Sequence, residues 1–139
     1  MIRYQLLKFF TLVSIILFPQ ILAAEWVEYG KTGKYTMYYD DNLIDKKGSN
    51  IWVWNALNFE KAQDDDGTIS FVIKYRLDCK KNKVKTLTFE TFNKHQIKSG
   101  SAQGKRTSMF EPNEYIKFKP GDGSITEYMF KKVCNKFYK

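Results

Sequence analysis

The stretch Ile69-Ser-Phe-Val-Ile-Lys-Tyr-Arg-Leu-Asp-Cys79 decides the fold. Ile69, Phe71, Ile73, Tyr75 and Leu77 occupy alternate positions, so in a strand they share one face. Cys79 has the same parity and points with them into the core. The only other cysteine is Cys134. It lies in a segment that reads as a helix and opens on Ser124-Ile-Thr-Glu127, the form of a capping box. In that helix Ile125, Met129, Phe130, Val133, Cys134 and Phe137 fall on one broad side. Glu127, Lys131, Lys132, Asn135 and Lys139 take the other, with Lys136 at the boundary. Such a helix covers the apolar face of a sheet, in preference to lying on a membrane surface. Parity and phase therefore bring Cys79 and Cys134 to one sheet–helix interface. A disulfide there closes a loop of about 55 residues and contributes roughly 4 kcal/mol through loop-closure entropy. The alternatives are two free thiols or a catalytic thiol. The latter needs a base nearby, and the single histidine, His95, lies in a polar stretch.

Residues 1–8 carry Arg3 and Lys8 and no acid. An apolar run follows from Phe9 to Leu22, broken by Pro19-Gln20, and Ala23-Ala24 precede Glu25. These are the three regions of a secretory signal peptide, too short and interrupted for a comfortable membrane span. The expected organisation is a cleaved leader over residues 1–24 and one domain over residues 25–139. Export implies an oxidising compartment, which suits a disulfide. No cysteine sits at the cleavage point, so a lipobox lipoprotein is not expected. The location is periplasmic or secreted, with the cell surface as a further destination.

The chain is +8 by formal count and becomes +6 once Arg3 and Lys8 leave with the leader. A basic exported domain favours anionic partners, whether acidic polysaccharide, lipid head groups or acidic protein surfaces, although the charge also serves solubility. Nucleic acid is not expected, because no binding motif is present. Membrane contact is expected only as surface association.

Strands are predicted near residues 26–29, 35–39, 51–59, 69–79 and 84–92, with short ones near 107–110 and 115–118. Short connections between consecutive strands make the sheet antiparallel. In the returning strand Leu87 and Phe89 share a parity that Val84 and Phe92 do not, which predicts a bulge or a strand apolar on both sides. Residues 43–50 read as a polar connection, and residues 93–106 as an exposed, mobile loop. Asp64-Asp-Asp-Gly67 invites a calcium reading, but the loop would need acids at positions held by Ala62 and Ile73, so it is a turn. One histidine, no nucleophile motif and no metal-ligand cluster argue against an enzyme, and no cofactor is expected.

The order of motifs resembles the bacterial surface-adhesin protein E family. Tyr38-Tyr39-Asp40 follows the first strands, Trp54 lies in a Trp-Val-Trp strand, and Tyr75-Arg-Leu-Asp-Cys79 precedes a basic turn. Pro120-Gly121 and Ser124-Ile125 lead into the helix that carries Cys134. The resemblance spans about residues 26–134. It implies an α+β fold: an antiparallel sheet of about six strands, with one C-terminal helix packed on one face and held by a strand–helix disulfide between Cys79 and Cys134. It also implies a surface adhesin that binds host matrix proteins, with a homodimer as one assembly. The missing lipobox cysteine departs from a lipid-anchored member. No ligand-binding residue is carried over.

Function is therefore read as non-catalytic binding of a protein or an anionic polysaccharide. The alternative is a periplasmic structural or regulatory protein with an internal envelope partner. The candidate surface combines Trp52 and Trp54, on the face opposite the odd-numbered positions, with the cations Lys80, Lys81, Lys83, Lys98, Lys105 and Arg106. That face is either an open interface or buried by a curled sheet.

Overall fold

The computed structural model describes residues 26–97 and 102–139. The leader expected over residues 1–24, Glu25 and the candidate Lys98 lie outside them. The sheet contains β1 (Trp26–Lys31), β2 (Tyr35–Asp40), β3 (Asp45–Lys47), β4 (Asn50–Phe59), β5 (Ser70–Asp78), β6 (Lys83–Phe92), β7 (Arg106–Phe110) and β8 (Glu114–Ile116). Helix α1 (Ile125–Phe137) follows. The main path runs β1-β2-β4-β5-β6-β7, with every described pairing antiparallel. This path matches the sheet of about six strands that the family resemblance implies. The two extra strands have three residues each: β3 pairs with β4, and β8 with β6. Residues 43–50 are thus no plain connection. They form a hairpin whose turn passes through Gly48 at φ 60°, a left-handed value that suits glycine.

The core lies on the odd-numbered face. Ile51, Val53, Leu77 and Val84 are each 0% exposed. Met129, Phe130, Val133 and Cys134 of α1 pack on them. Ile51 pairs with Leu77 and Leu77 with Val84, so one cross-strand row forms the floor under the helix. Cys79, one residue past β5, is bonded to Cys134 at a Cα–Cα distance of 5.7 Å. The bulge is real. Lys74 pairs with Thr88 and Tyr75 with Thr86, leaving Leu87 as the inserted residue of β6. That insertion reverses the parity along β6. Val84 then faces the helix from one half of the strand, and Phe92 faces away from it on the other.

Toward the other end of the same face, an aromatic ladder crosses the sheet. The ring centroids of Tyr35 and Phe59 are 5.4 Å apart, Phe59 and Phe71 4.6 Å, Phe71 and Phe89 5.0 Å, and Phe89 and Phe110 6.2 Å.

Ser124 caps the helix, accepting from the Glu127 N–H at 3.1 Å. The reciprocal half of the expected box differs. The Ser124 N–H donates to Asp122 Oδ1, while the Glu127 carboxylate accepts from the N–H groups of Gly121 and Gly123 and pairs with Lys131. Glu127 is consequently buried, at 4% exposure, and not on the solvent side that its helical phase implies. Three donors, two from the preceding loop and Lys131 of the helix itself, make that burial sustainable.

Candidate functional site

The even-numbered face carries the candidate residues. Pairing sets two cross-strand rows. In one, Trp52 of β4 lies opposite Arg76 of β5, Arg76 opposite Lys85 of β6, and Lys85 opposite Tyr115 of β8. In the other, Trp54 lies opposite Lys74, and Lys74 opposite Thr88. Cations therefore sit between aromatics. The Lys74 ammonium lies 5.3 Å from the Trp54 ring centre. Arg76 Nη2 donates to the Tyr115 hydroxyl at 3.0 Å. Lys83 and Lys85 lie 5.7 and 5.2 Å from the Tyr115 ring centre. These contacts fix long cationic side chains over apolar surface while leaving their charge in water.

Trp52 and Trp54 are both half-buried, so neither expected extreme holds. Trp54 packs against Ala56, Val72 and Phe92. Lys80 and Lys81 are exposed in the β5–β6 turn, where their N–H groups donate to Asp78 Oδ1 at 3.2 and 3.0 Å. Burial opposes ionisation of Asp78. The Lys81 N–H, the Ser49 hydroxyl and the Lys80 N–H outweigh it and hold the carboxyl below its ordinary range. Asn82 supplies the left-handed turn position at φ 52°.

The cations do not form one patch. Lys83 begins β6, whereas Arg106 pairs with Phe92 at the strand's other end, about 30 Å away at the rise of an extended chain. Arg106 is also engaged, 2.8 Å from Glu90. Lys105 is exposed beside it, with its N–H donating to Asn93 Oδ1. The structure thus gathers Trp52, Trp54, Lys81 and Lys83 with three cations absent from the sequence selection: Lys74, Arg76 and Lys85. Alternation along β5 placed Lys74 and Arg76 on the tryptophan face, but only the register shows them beside the indoles.

The stretch 93–106 also differs from an exposed loop in its described parts. Gln96 is 2% exposed. Its N–H donates to Asn58 Oδ1 and its carbonyl accepts from Asn58 Nδ2, both at 2.9 Å. Its amide Nε2 donates to Ser70 Oγ at 3.1 Å. The segment therefore covers the end of the even face near Phe92. Among the described residues no group of His, Cys, Asp and Glu is arranged to hold a metal ion.

Fold and site together define a small sheet-and-helix domain, clamped by one disulfide, with one sheet face covered in part by the helix and the other dressed with aromatic and cationic side chains. The Surface-adhesin protein E family matches residues 26–135, and the chain belongs to that family. Among solved structures, crystal form II of Haemophilus influenzae protein E is similar, with a TM-score of 0.64 and 14% identity. The match covers 87% of this chain and 95% of that one. At that identity the likeness speaks for the fold. No curated protein sequence matches.

Proposed function

We propose that this chain is an exported, non-catalytic adhesion protein that binds host matrix protein or anionic glycan through its even-numbered sheet face. The observation that carries this reading is the row Trp52–Arg76–Lys85–Tyr115, beside Trp54–Lys74. Aromatic residues and arginine are the side chains enriched where proteins bind proteins. Fixed cations attract sulfated or carboxylated polymers. Family membership supports the adhesin role, and the leader-like residues 1–24 support export. Immobilised heparin and a purified matrix protein, titrated with this protein at several salt concentrations, test the reading. Binding that weakens as salt rises is expected. No binding to either, or binding indifferent to salt, would reject the cationic face as the contact.

A further inference from the structure

A cavity of about 260 Å³ opens on the even face between Trp26, Asp40, Trp54, Val72, Glu90 and Phe92. Two polar atoms of its lining residues have no hydrogen-bond partner among the described residues: the indole Nε1–H of Trp26 and Oδ2 of Asp40. Both are buried, and Asp40 is 0% exposed. The two residues face each other directly across β1 and β2. The other Asp40 oxygen, Oδ1, is fully used, accepting from the N–H groups of Asn42 and Leu43 at 3.0 and 3.1 Å. A buried carboxylate oxygen and a buried indole N–H left unmatched are each costly. An ordinary folding role accounts for Oδ1 but not for Oδ2.

The chemistry of the missing partner follows from what the pair requires. A cation satisfies Asp40 Oδ2 but gives the Trp26 N–H no acceptor, and Lys74 already lies over the Trp54 ring. An anion satisfies Trp26 but meets the carboxylates of Asp40 and Glu90. A hydroxyl both donates and accepts, so one hydroxyl answers both atoms. The indoles, Val72 and Phe92 supply apolar walls for the carbon skeleton that bears it. At about 260 Å³ the cavity lies below the range of drug-sized clefts, roughly 300–1,000 Å³, and so suits a single small ring.

We propose that this cavity binds one neutral sugar residue, with a ring hydroxyl donating to Asp40 Oδ2 and accepting from Trp26 Nε1–H. The cavity borders the Trp54–Lys74 row, since Trp54 forms one of its walls, but its polar atoms belong to Trp26, Asp40 and Glu90, so it does not depend on the rows binding an anionic polymer. It gives the protein a means of holding the end of a neutral glycan.

The test is a titration of the ¹⁵N-labelled protein with methyl glucoside, methyl galactoside and methyl N-acetylglucosaminide, following the three tryptophan indole N–H signals. The Trp26 signal should shift and saturate with at least one glycoside. Asp40→Asn keeps Oδ1 for the Asn42 and Leu43 N–H groups and replaces only Oδ2 with a donor. It should weaken that glycoside by about tenfold or more, the scale of a hydrogen bond to a charged group. Trp26→Phe should do the same through the other partner, while heparin binding stays unchanged in both. A Trp26 signal unmoved by all three glycosides overturns the proposal and assigns the pair to an ordered water or to each other. Saturable binding that both variants leave intact overturns it equally.

Discussion

Cys79 and Cys134 are 55 residues apart in sequence and 5.7 Å apart at Cα, and they join the end of β5 to the third turn of α1. The bond spans the interface at which the apolar side of the helix is buried against the sheet. Floor and lid are both fully formed around it: Leu77 and Ile51 below, Val133 and Met129 above. The clamp and the packed layer thus reinforce the same contact.

Removing the clamp should loosen the helix from the sheet. Cys79→Ser with Cys134→Ser is expected to lower unfolding free energy by about 2–4 kcal/mol, the range for a bridge closing a loop of this length. Urea denaturation followed by far-UV circular dichroism measures it. A double variant as stable as the parent would show that packing alone holds α1.

Acid should weaken the start of the helix. The Glu127 carboxyl is held below its ordinary range, first by its hydrogen bond with Lys131 and then by the N–H groups of Gly121 and Gly123. Because its folded pKa is below the unfolded one, the folded state binds the proton less readily. Its stabilising contribution is complete above the unfolded value, near pH 4.3, and disappears as pH falls through the folded value. Asp64, Asp78 and Asp122 are shifted the same way, so the whole protein should lose stability on acidification in this window. Glu127→Gln should be less stable at pH 7 and show a shallower decline between about pH 5 and 3. Parallel slopes for parent and variant would remove Glu127 from the account.

The cationic rows make a positional prediction about anion binding. Lys74→Ala, Arg76→Ala and Lys85→Ala together should weaken heparin binding by about tenfold, as three half-buried charge contacts of about half a kcal/mol each would do. Lys105→Ala with Arg106→Ala, at the far end of β6, should change it by less than about twofold, since Arg106 is already paired with Glu90. Surface plasmon resonance at fixed salt separates the two sets. Equal losses from both would mean that a long polymer spans the strand and that the two clusters act as one surface.

The parts of this fold legible in the sequence are those where one pattern suffices. Alternation from Ile69 to Leu77 gave β5 and its face, and Ser124 with the apolar phase of α1 gave the helix and the direction of Cys134. The mixed parity of β6 left a bulge as one of two readings, without its place at Leu87. What stayed hidden depends on partners distant in sequence. Strand β3 is Asp45-Lys46-Lys47, wholly exposed and charged, so no apolar alternation marks it. Gln96 looks like loop, but Asn58, 38 positions earlier, supplies its buried hydrogen bonds. Lys74 and Arg76 are ordinary outward cations until the β4–β5 register sets them against Trp54 and Trp52.

One polar side chain in the core stands against the local pattern and gives the sharpest stability test. Asn55 interrupts the apolar odd positions of β4, pairs with Ile73 and Tyr39, and is 2% exposed. Neither its Oδ1 nor its Nδ2 has a hydrogen-bond partner among the described residues. An amide buried without partners opposes folding, so an apolar side chain of similar volume removes that opposition. Asn55→Leu should therefore raise unfolding free energy by about 1–2 kcal/mol. Chemical denaturation of both proteins at pH 7 decides it. The clamp is left in place, so any gain belongs to the sheet face alone. A loss of stability would mean that Asn55 holds an ordered water between β4 and its neighbours, and that this water belongs to the core.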